Sequence, residues 1–156
     1  MPDKNDNKHI LLLNGPNLNL LGKGHSDAFE KATLEEIEFA VSEKVKSGGY
    51  ELISHQTNHI GVMIDLIQEH SDSSVVGIII GMTHCDSISI RDALDFAKFK
   101  GVPSIPLILL DILNHRKSLF VDVCVRDGLP RVYGLGLKSY LEATEKLLVH
   151  LDEKSQ

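Results

Sequence analysis

The chain has 156 residues, close to the modal size of a single domain and long enough to bury a core. Hydrophobic residues make up 42% of it and charged residues 24%, which is typical of a globular protein and not of a disordered or fibrous one. The net charge of -6 argues against a nucleic-acid-binding surface, and no apolar run approaches the roughly 20 residues of a membrane span. We therefore expect neither nucleic acid nor membrane as a partner.

The cysteines and the N-terminus indicate where the protein resides. Cys85 and Cys124 form neither a disulfide framework nor a Cys-x-x-Cys pair for structural zinc. Residues 1–8 are polar, lack the apolar segment of a secretory signal, and are predicted to be a disordered leader. We expect a cytoplasmic protein with a single domain at residues 9–152.

Short apolar runs alternate with helical patterns along this domain. The predicted strands are HILLLN (9–14), YELISH (50–55), VVGIII (75–80), SIPLILL (104–110) and a weaker fifth near Val132. Three of these runs are almost continuously apolar, which is typical of parallel strands covered on both faces.

The helices between the strands have recognisable ends. The predicted signals are, in chain order, a capping box of Thr33 with Glu36, a stop at Gly48-Gly49, a cap at Asn58, a start at Asp86 or Ser87, a stop at Gly101, and a last helix from Leu137 to about Asp152. This alternating order predicts an α/β fold, a flavodoxin-like open parallel five-stranded sheet with helices on both faces.

The loop after the first strand, from Asn14 to Ala32, is the best candidate for a site. Ligands of such folds bind at the carboxyl ends of the strands, and this connection is longer than the usual two to six residues, as lids often are. Its start, Asn14-Gly15-Pro16-Asn17, is explained in part as a turn with asparagines bonding to the backbone. Asn17 can also orient a water or a substrate hydroxyl, because a neutral amide does so without charge.

Four segments carry a family resemblance. In order, LLLNGPNLNLLG, HQTNHIGVMIDLI, RDAL and YGLGLKSYLEA resemble the type II 3-dehydroquinate dehydratases over about residues 9–150. The resemblance implies a flavodoxin-like subunit, a trimer-based homo-oligomer that is a dodecamer, and no cofactor or metal. It also implies a small carboxylate substrate, with anti elimination of water from 3-dehydroquinate as the reaction.

Part of the family's site carries over to this sequence. Asn17 matches the amide that holds a water at the enolate oxygen. Asp92 matches an aspartate that reaches a neighbouring subunit's site, although it is also explained as a carboxylate on a helix face. Backbone donors at Ile112 and Leu113 match those that hold the substrate carboxylate, and Arg116 lies in the arginine-containing segment, where it can bind a carboxylate.

The proton-transfer groups do not carry over. The substitutions are Gly24 for the lid arginine, Phe29 for the lid tyrosine that serves as base, Cys85 for the general-acid histidine, Ile79 for its supporting asparagine, and Leu109 and Asp111 for a later acidic residue and histidine. Phe29 has no proton to exchange, and Gly24 removes the cation that would make a base there more acidic.

Three residues are candidates to replace the lost groups. His25 in the lid titrates near neutral pH, although it is also explained as a solvated loop residue. His84 can act as the acid or simply begin a helix. A Cys85 thiolate at a helix N-terminus would be favoured by the dipole, which would allow covalent chemistry. His84, Cys85 and Asp86 lack metal-ligand spacing, and His55 and His59 are interpreted as structural or interfacial.

Two functions follow from this pattern. The first is a divergent dehydratase-like hydro-lyase acting on 3-dehydroquinate or a related hydroxylated cyclic carboxylate. The second is an inactive paralogue kept as a ligand-binding or scaffold oligomer. Flavin binding is disfavoured because NGPNLNLLG is not a Ser/Thr-rich phosphate loop.

Overall fold

The computed structural model describes residues 8–23, 31–82, 87–109, 132–133 and 136–156. Strands and helices alternate along these residues. The elements are β1 (His9–Asn14), a short 3-10 helix (Leu18–Leu20), α1 (Leu34–Ser47), β2 (Glu51–Gln56), α2 (Ile60–Ser71), β3 (Val75–Met82), α3 (Ile88–Phe99), β4 (Ser104–Ile108), β5 (Val132–Tyr133) and α4 (Leu137–Ser155). None of the helices formed by these residues is long and apolar enough to cross a membrane.

The sheet is parallel throughout, in the order β2-β1-β3-β4-β5. This is the flavodoxin-like order, so the predicted α/β class and parallel sheet are confirmed. The predicted five strands need a correction. Four of them run for five to eight residues, whereas the fifth position holds only the two-residue β5 paired to β4. In the described residues, Val132 therefore begins a two-residue edge pairing to β4.

Helices cover both faces of the sheet. β1 alternates between the two hydrophobic clusters, with Ile10 and Leu12 in one and Leu11 and Leu13 in the other. The first cluster contains the apolar sides of α1 and α4, and the second contains those of α2 and α3. β1 is thus buried on both faces, which explains its continuously apolar sequence.

The helix ends follow the predicted signals except at the start of α2 and at the end of α4, which continues to Ser155, past the predicted Asp152. The Thr33 amide donates to the Glu36 carboxylate at 2.8 Å, and the Glu36 amide donates back to the Thr33 hydroxyl at 3.2 Å, so the capping box is confirmed. Ser87 caps α3 by accepting from the amide of Ile90. Asn58 does not cap α2, since His59 occupies that position and Asn58 bonds elsewhere.

Gly22 and Thr33, on either side of residues 24–30, lie close together. Gly22 has φ +73, and a β-carbon on it would lie 2.7 Å from the backbone nitrogen of Thr33. A side chain at residue 22 is therefore excluded by both conformation and space. Gly22 and Thr33, which flank residues 24–30, are thus in close contact, and we call this contact the loop neck.

Candidate functional site

The carboxyl ends of β1 and β3 are adjacent, and the chain leaves them in opposite directions. α1 follows β1 on one face of the sheet, whereas α3 follows β3 on the other. This divergence makes a topological switch point, and open α/β sheets bind ligands in the crevice at such a point. The candidate site therefore lies above the ends of β1 and β3.

Asn14, the last residue of β1, forms the floor of this site. It is fully buried, and its Oδ1 accepts a hydrogen bond of 2.6 Å from the hydroxyl of Tyr140 on α4. Its Nδ2 is buried and has no partner within the described part of the chain. Burial, reinforced by the negative charge of Glu38, raises the pKa of Tyr140, so this hydroxyl stays protonated and donates.

Gly81 of β3 makes room for that hydrogen bond. A β-carbon on Gly81 would lie 2.6 Å from Oδ1 of Asn14 and 2.7 Å from the hydroxyl of Tyr140. Any side chain there would push apart the two groups that join β1 to α4. The glycine is thus required by close approach and not by backbone angle.

Asn17 follows β1 by three residues and has an unusual backbone. Its φ is 70, the one positive value for a non-glycine residue in the described ranges. Its main-chain amide donates to Oδ1 of Asn58 at 3.0 Å. The side chain is exposed and makes no cap bond to the 3-10 helix that it precedes. The side-chain amide of Asn17 is therefore available to a ligand or a water at the mouth of the crevice.

Gln56, the last residue of β2, and Asn58, two residues later, hold this turn, and sequence reasoning missed their role. Asn58 Oδ1 accepts from the amide of Asn17 and, at 3.1 Å, from Nε2 of Gln56. The same Gln56 nitrogen lies 3.3 Å from the carbonyl oxygen of Gly15 and donates to it. A signal was present, because the QTN segment follows a strand that pairs with β1, but Asn58 was interpreted as a helix cap.

The β3 and β4 side of the site is apolar in the described residues. Ile79, where the family resemblance expects an asparagine, has no exposed surface and belongs to the core cluster that contains β1 and α4 side chains. Leu109 is also buried in that cluster, and its amide donates to the carbonyl of Met82 at 3.0 Å. Neither side chain can transfer a proton.

Asp92 lies on α3 with its carboxylate exposed. Its Oδ1 accepts from Nη2 and Nε of the adjacent Arg91 at 3.0 and 3.3 Å. Within one chain it behaves as a carboxylate on a helix face. A role in a neighbouring subunit's site stays a prediction.

The other predicted site residues lie outside the described residues. They are His25 in the lid, His84 and Cys85 after β3, and Ile112, Leu113 and Arg116 after β4, together with Gly24, Phe29, Asp86 and Asp111. Their roles stay predictions. Among the residues that are described, no group of three or more His, Cys, Asp or Glu is placed to hold a metal ion.

His55 lies on β2 and pairs with Leu13, one residue before the end of β1. The ring of His55 on β2 is 5.7 Å from the ring of His70 near the end of α2. Burial lowers the pKa of His70, Glu69 opposes this shift, and His55 and His9 lower the pKa further. This arrangement is compatible with the structural or interfacial role expected for His55.

A cavity of about 290 Å³ lies at the opposite, amino-terminal edge of the sheet. Three lysines, Lys8, Lys100 and Lys154, are among the residues that border it. Lys100 pairs with Asp72 at 2.8 Å, and Lys154 lies in the last turn of α4, where a cation offsets the helix dipole. Because ligands of parallel sheets bind at the carboxyl ends, we do not assign the site to this cavity.

Comparisons with known proteins agree with the geometry. A family model described as dehydroquinase class II matches residues 8–148. A protein of Herminiimonas arsenicoxydans named 3-dehydroquinate dehydratase is 37% identical over 142 residues, covering 87% of this chain and 93% of that protein.

Solved structures show the same similarity. The type II dehydroquinase of Butyrivibrio crossotus DSM 2876 matches with a TM-score of 0.78 and 30% identity, covering 91% of this chain and 97% of that one. The type II dehydroquinase of Propionibacterium acnes matches with a TM-score of 0.75 and 26% identity over the same shares.

Proposed function

The chain belongs to the dehydroquinase class II family, and from this premise we propose that it is a hydro-lyase acting on 3-dehydroquinate or a related hydroxylated cyclic carboxylate. The observation that carries the proposal is Asn17, which stands at the switch point with an exposed neutral amide on a constrained backbone. This is the group that the family resemblance assigns to the enolate water.

Elimination of water next to a ketone requires three events. A base removes the proton from the carbon beside the carbonyl, and the electrons of that C–H bond form the enolate. The enolate then reforms the ketone and expels the β-hydroxyl, which an acid protonates so that it leaves as water. The product is a conjugated enone, with no net oxidation and no co-reactant.

In this proposal Asn17 stabilises the enolate. Negative charge grows on the ketone oxygen as the proton leaves, and a preorganised donor stabilises it more than mobile solvent does. A water held by the Asn17 amide supplies that donor without adding a fixed charge that would also bind the ground state.

Two histidines are the proposed proton-transfer groups. His25 takes the base role because Phe29 cannot, and His84 takes the acid role because it lies one residue before the expected position. Cys85 is the alternative acid or nucleophile. In this scheme backbone amides of Ile112 and Leu113, with Arg116, bind the substrate carboxylate.

We also propose a trimer-based homo-oligomer, the dodecamer implied by the family, that needs no cofactor or metal. Asp92 would then approach a neighbouring subunit's site. Its matching position in RDAL and its exposed carboxylate on α3 support this role. Size-exclusion chromatography with light scattering would distinguish monomer, trimer and dodecamer.

The decisive experiment is a direct assay of enone formation from 3-dehydroquinate by the purified protein. Asn17→Ala should reduce kcat by about 10²–10³-fold, the usual effect of removing one oxyanion donor. Asn17→Gly should reduce it equally, because it removes the same amide while tolerating positive φ. Equal activity in wild type and both variants would assign the turnover to a contaminant or another site and reject the proposal.

A second candidate is an inactive ligand-binding paralogue, favoured by the buried aliphatic side chains of Ile79 and Leu109. It predicts binding of 3-dehydroquinate by calorimetry without enone formation. The double variant Phe29→Tyr with Gly24→Arg should then create turnover if the remaining site is competent. No gain would mean that the acid side, at Ile79 and Cys85, is also lost.

A further inference from the structure

We propose that Asn58 and Gln56 are positioning residues that hold Asn17 in its left-handed conformation and thereby aim its side-chain amide into the crevice. The inference rests on the proposed function for its catalytic consequence. The positioning itself rests on geometry alone, so the two can be tested separately.

The backbone of Asn17 needs an external restraint. Left-handed geometry is unfavourable for a non-glycine L-residue, although asparagine tolerates it better than most. Such conformations persist where the surroundings over-determine them. The side chain of Asn17 is exposed and makes no cap bond, so it does not supply the restraint.

Asn58, two residues after the end of β2, supplies that restraint. Its Oδ1 accepts from the Asn17 amide at 3.0 Å and from Nε2 of Gln56 at 3.1 Å. Accepting two bonds fixes the amide orientation of Asn58, since its Nδ2 cannot accept either. Gln56 in turn donates to the carbonyl of Gly15, two residues before Asn17.

The turn that Asn58 and Gln56 hold is also anchored to the strands on both sides of it. The Thr57 amide donates to the carbonyl of Asn14 at 3.0 Å, which continues the pairing of β2 with β1 past the last paired residues, Asn14 and Gln56. The Gly15 amide donates to the carbonyl of Gly81 on β3 at 2.9 Å. The turn that begins at Gly15 is thus held from β2 and from β3 before it reaches Asn17.

The first test separates the acceptor from the side chain's bulk. Asn58→Ala removes both accepted bonds, and Asn58→Asp keeps both because a carboxylate accepts them equally well. We expect kcat to fall by about 10–100-fold in Asn58→Ala with KM changed by less than about 3-fold, since the displaced group acts on the transition state. Asn58→Asp should keep kcat within about 3-fold. Gln56→Leu should act in the same direction and more weakly, because Asn58 keeps its bond to Asn17.

The second readout does not depend on turnover. In ¹⁵N-labelled protein, the Asn17 amide should exchange with solvent about tenfold faster in Asn58→Ala than in wild type, and at the wild-type rate in Asn58→Asp. An unchanged exchange rate of the Asn17 amide in Asn58→Ala would overturn the proposal. If the wild type is active, an Asn58→Ala protein with faster exchange but the wild-type kcat would overturn it as well. If the wild type has no turnover, the proposed function fails, and the exchange rates alone decide whether Asn58 holds Asn17.

Discussion

The two halves of the candidate site differ in the polarity of their described side chains. At the ends of β1 and β2, polar groups are hydrogen-bonded to one another, as with Asn17 and Asn58 or Asn14 and Tyr140. Beside them on β3 and after β4, Ile79 and Leu109 are aliphatic and buried in the core. Among the described residues, the first half orients polar groups, and the second half contributes buried aliphatic side chains.

This difference shows which part of a site can change while the fold stays intact. Polar groups that also connect strands and helices are tied to stability, since a buried donor or acceptor left without its partner costs about 1–3 kcal/mol. A polar side chain that serves only a substrate has no such tie, and an aliphatic replacement gains burial. The polar half is therefore held in place by the fold, whereas aliphatic positions such as Ile79 carry no such hydrogen-bonding requirement.

Gly81→Ala is expected to have the largest effect, and it tests whether the hydrogen bond between Asn14 and Tyr140 contributes to stability. The added carbon would meet Asn14 Oδ1 and the Tyr140 hydroxyl at 2.6 and 2.7 Å, so their hydrogen bond must break or the backbone must shift. We expect unfolding free energy measured in urea to fall by about 3–5 kcal/mol, from overpacking and an unpaired buried amide together.

Gly61→Ala is the matched control for that experiment. Gly61 lies in α2, and nothing stands within 4 Å of a β-carbon placed on it. The change should leave stability equal or raise it by about 0.5 kcal/mol, through helix propensity. A Gly81→Ala protein as stable as this control would mean that Asn14 and Tyr140 are not structurally tied.

Ile79→Asn tests the apolar half. The variant loses aliphatic burial and places an amide in the core cluster, so stability should fall by about 3 kcal/mol in urea unfolding. Ile79→Val, which keeps the site apolar, should cost only about 1 kcal/mol. If Ile79→Asn were as stable as Ile79→Val, this region would be polar or hydrated, and the contrast between the two halves would be wrong.

Apart from the control variants, Tyr140→Phe is expected to have the smallest effect at neutral pH, a loss of about 2 kcal/mol from the orphaned Asn14 carbonyl oxygen. It also makes a pH prediction. Burial raises the pKa of Tyr140, so the folded state keeps its proton where the unfolded chain has lost it, and the stabilisation is complete below pH about 10. Above that pH, wild-type stability should fall by about 1.4 kcal/mol per pH unit more than that of Tyr140→Phe. Parallel curves for the two proteins in urea titrations at pH 9–11 would contradict this.

Much of the fold was predictable because its signals are local. Continuous apolar runs located β1, β3 and β4, and capping residues located the starts of α1 and α3. The last strand was weakly signalled, and its described part is Val132–Tyr133. The extents of the leader and of the domain stay predictions.

The site was less predictable because its contacts are distant along the chain. Asn17 was found through its position after β1, but the Asn14–Tyr140 bond joins residues 126 positions apart, and no local pattern indicates it. Asn58 was assigned to a helix cap because capping is the commonest use of an asparagine before a helix. Only the pairing of β2 with β1 shows that it faces the Asn17 turn instead.

The loop neck at Gly22 and Thr33 bears on how such a protein can be altered by evolution or by engineering. Because Gly22 lies against Thr33, the described chain before residue 24 and after residue 30 is held at a fixed separation. Changing the number of residues that join two such fixed points costs only fractions of a kcal/mol in closure entropy. We therefore expect β1 and α1 to keep their register when the number of residues between Gly22 and Thr33 is changed, provided that residue 22 remains glycine.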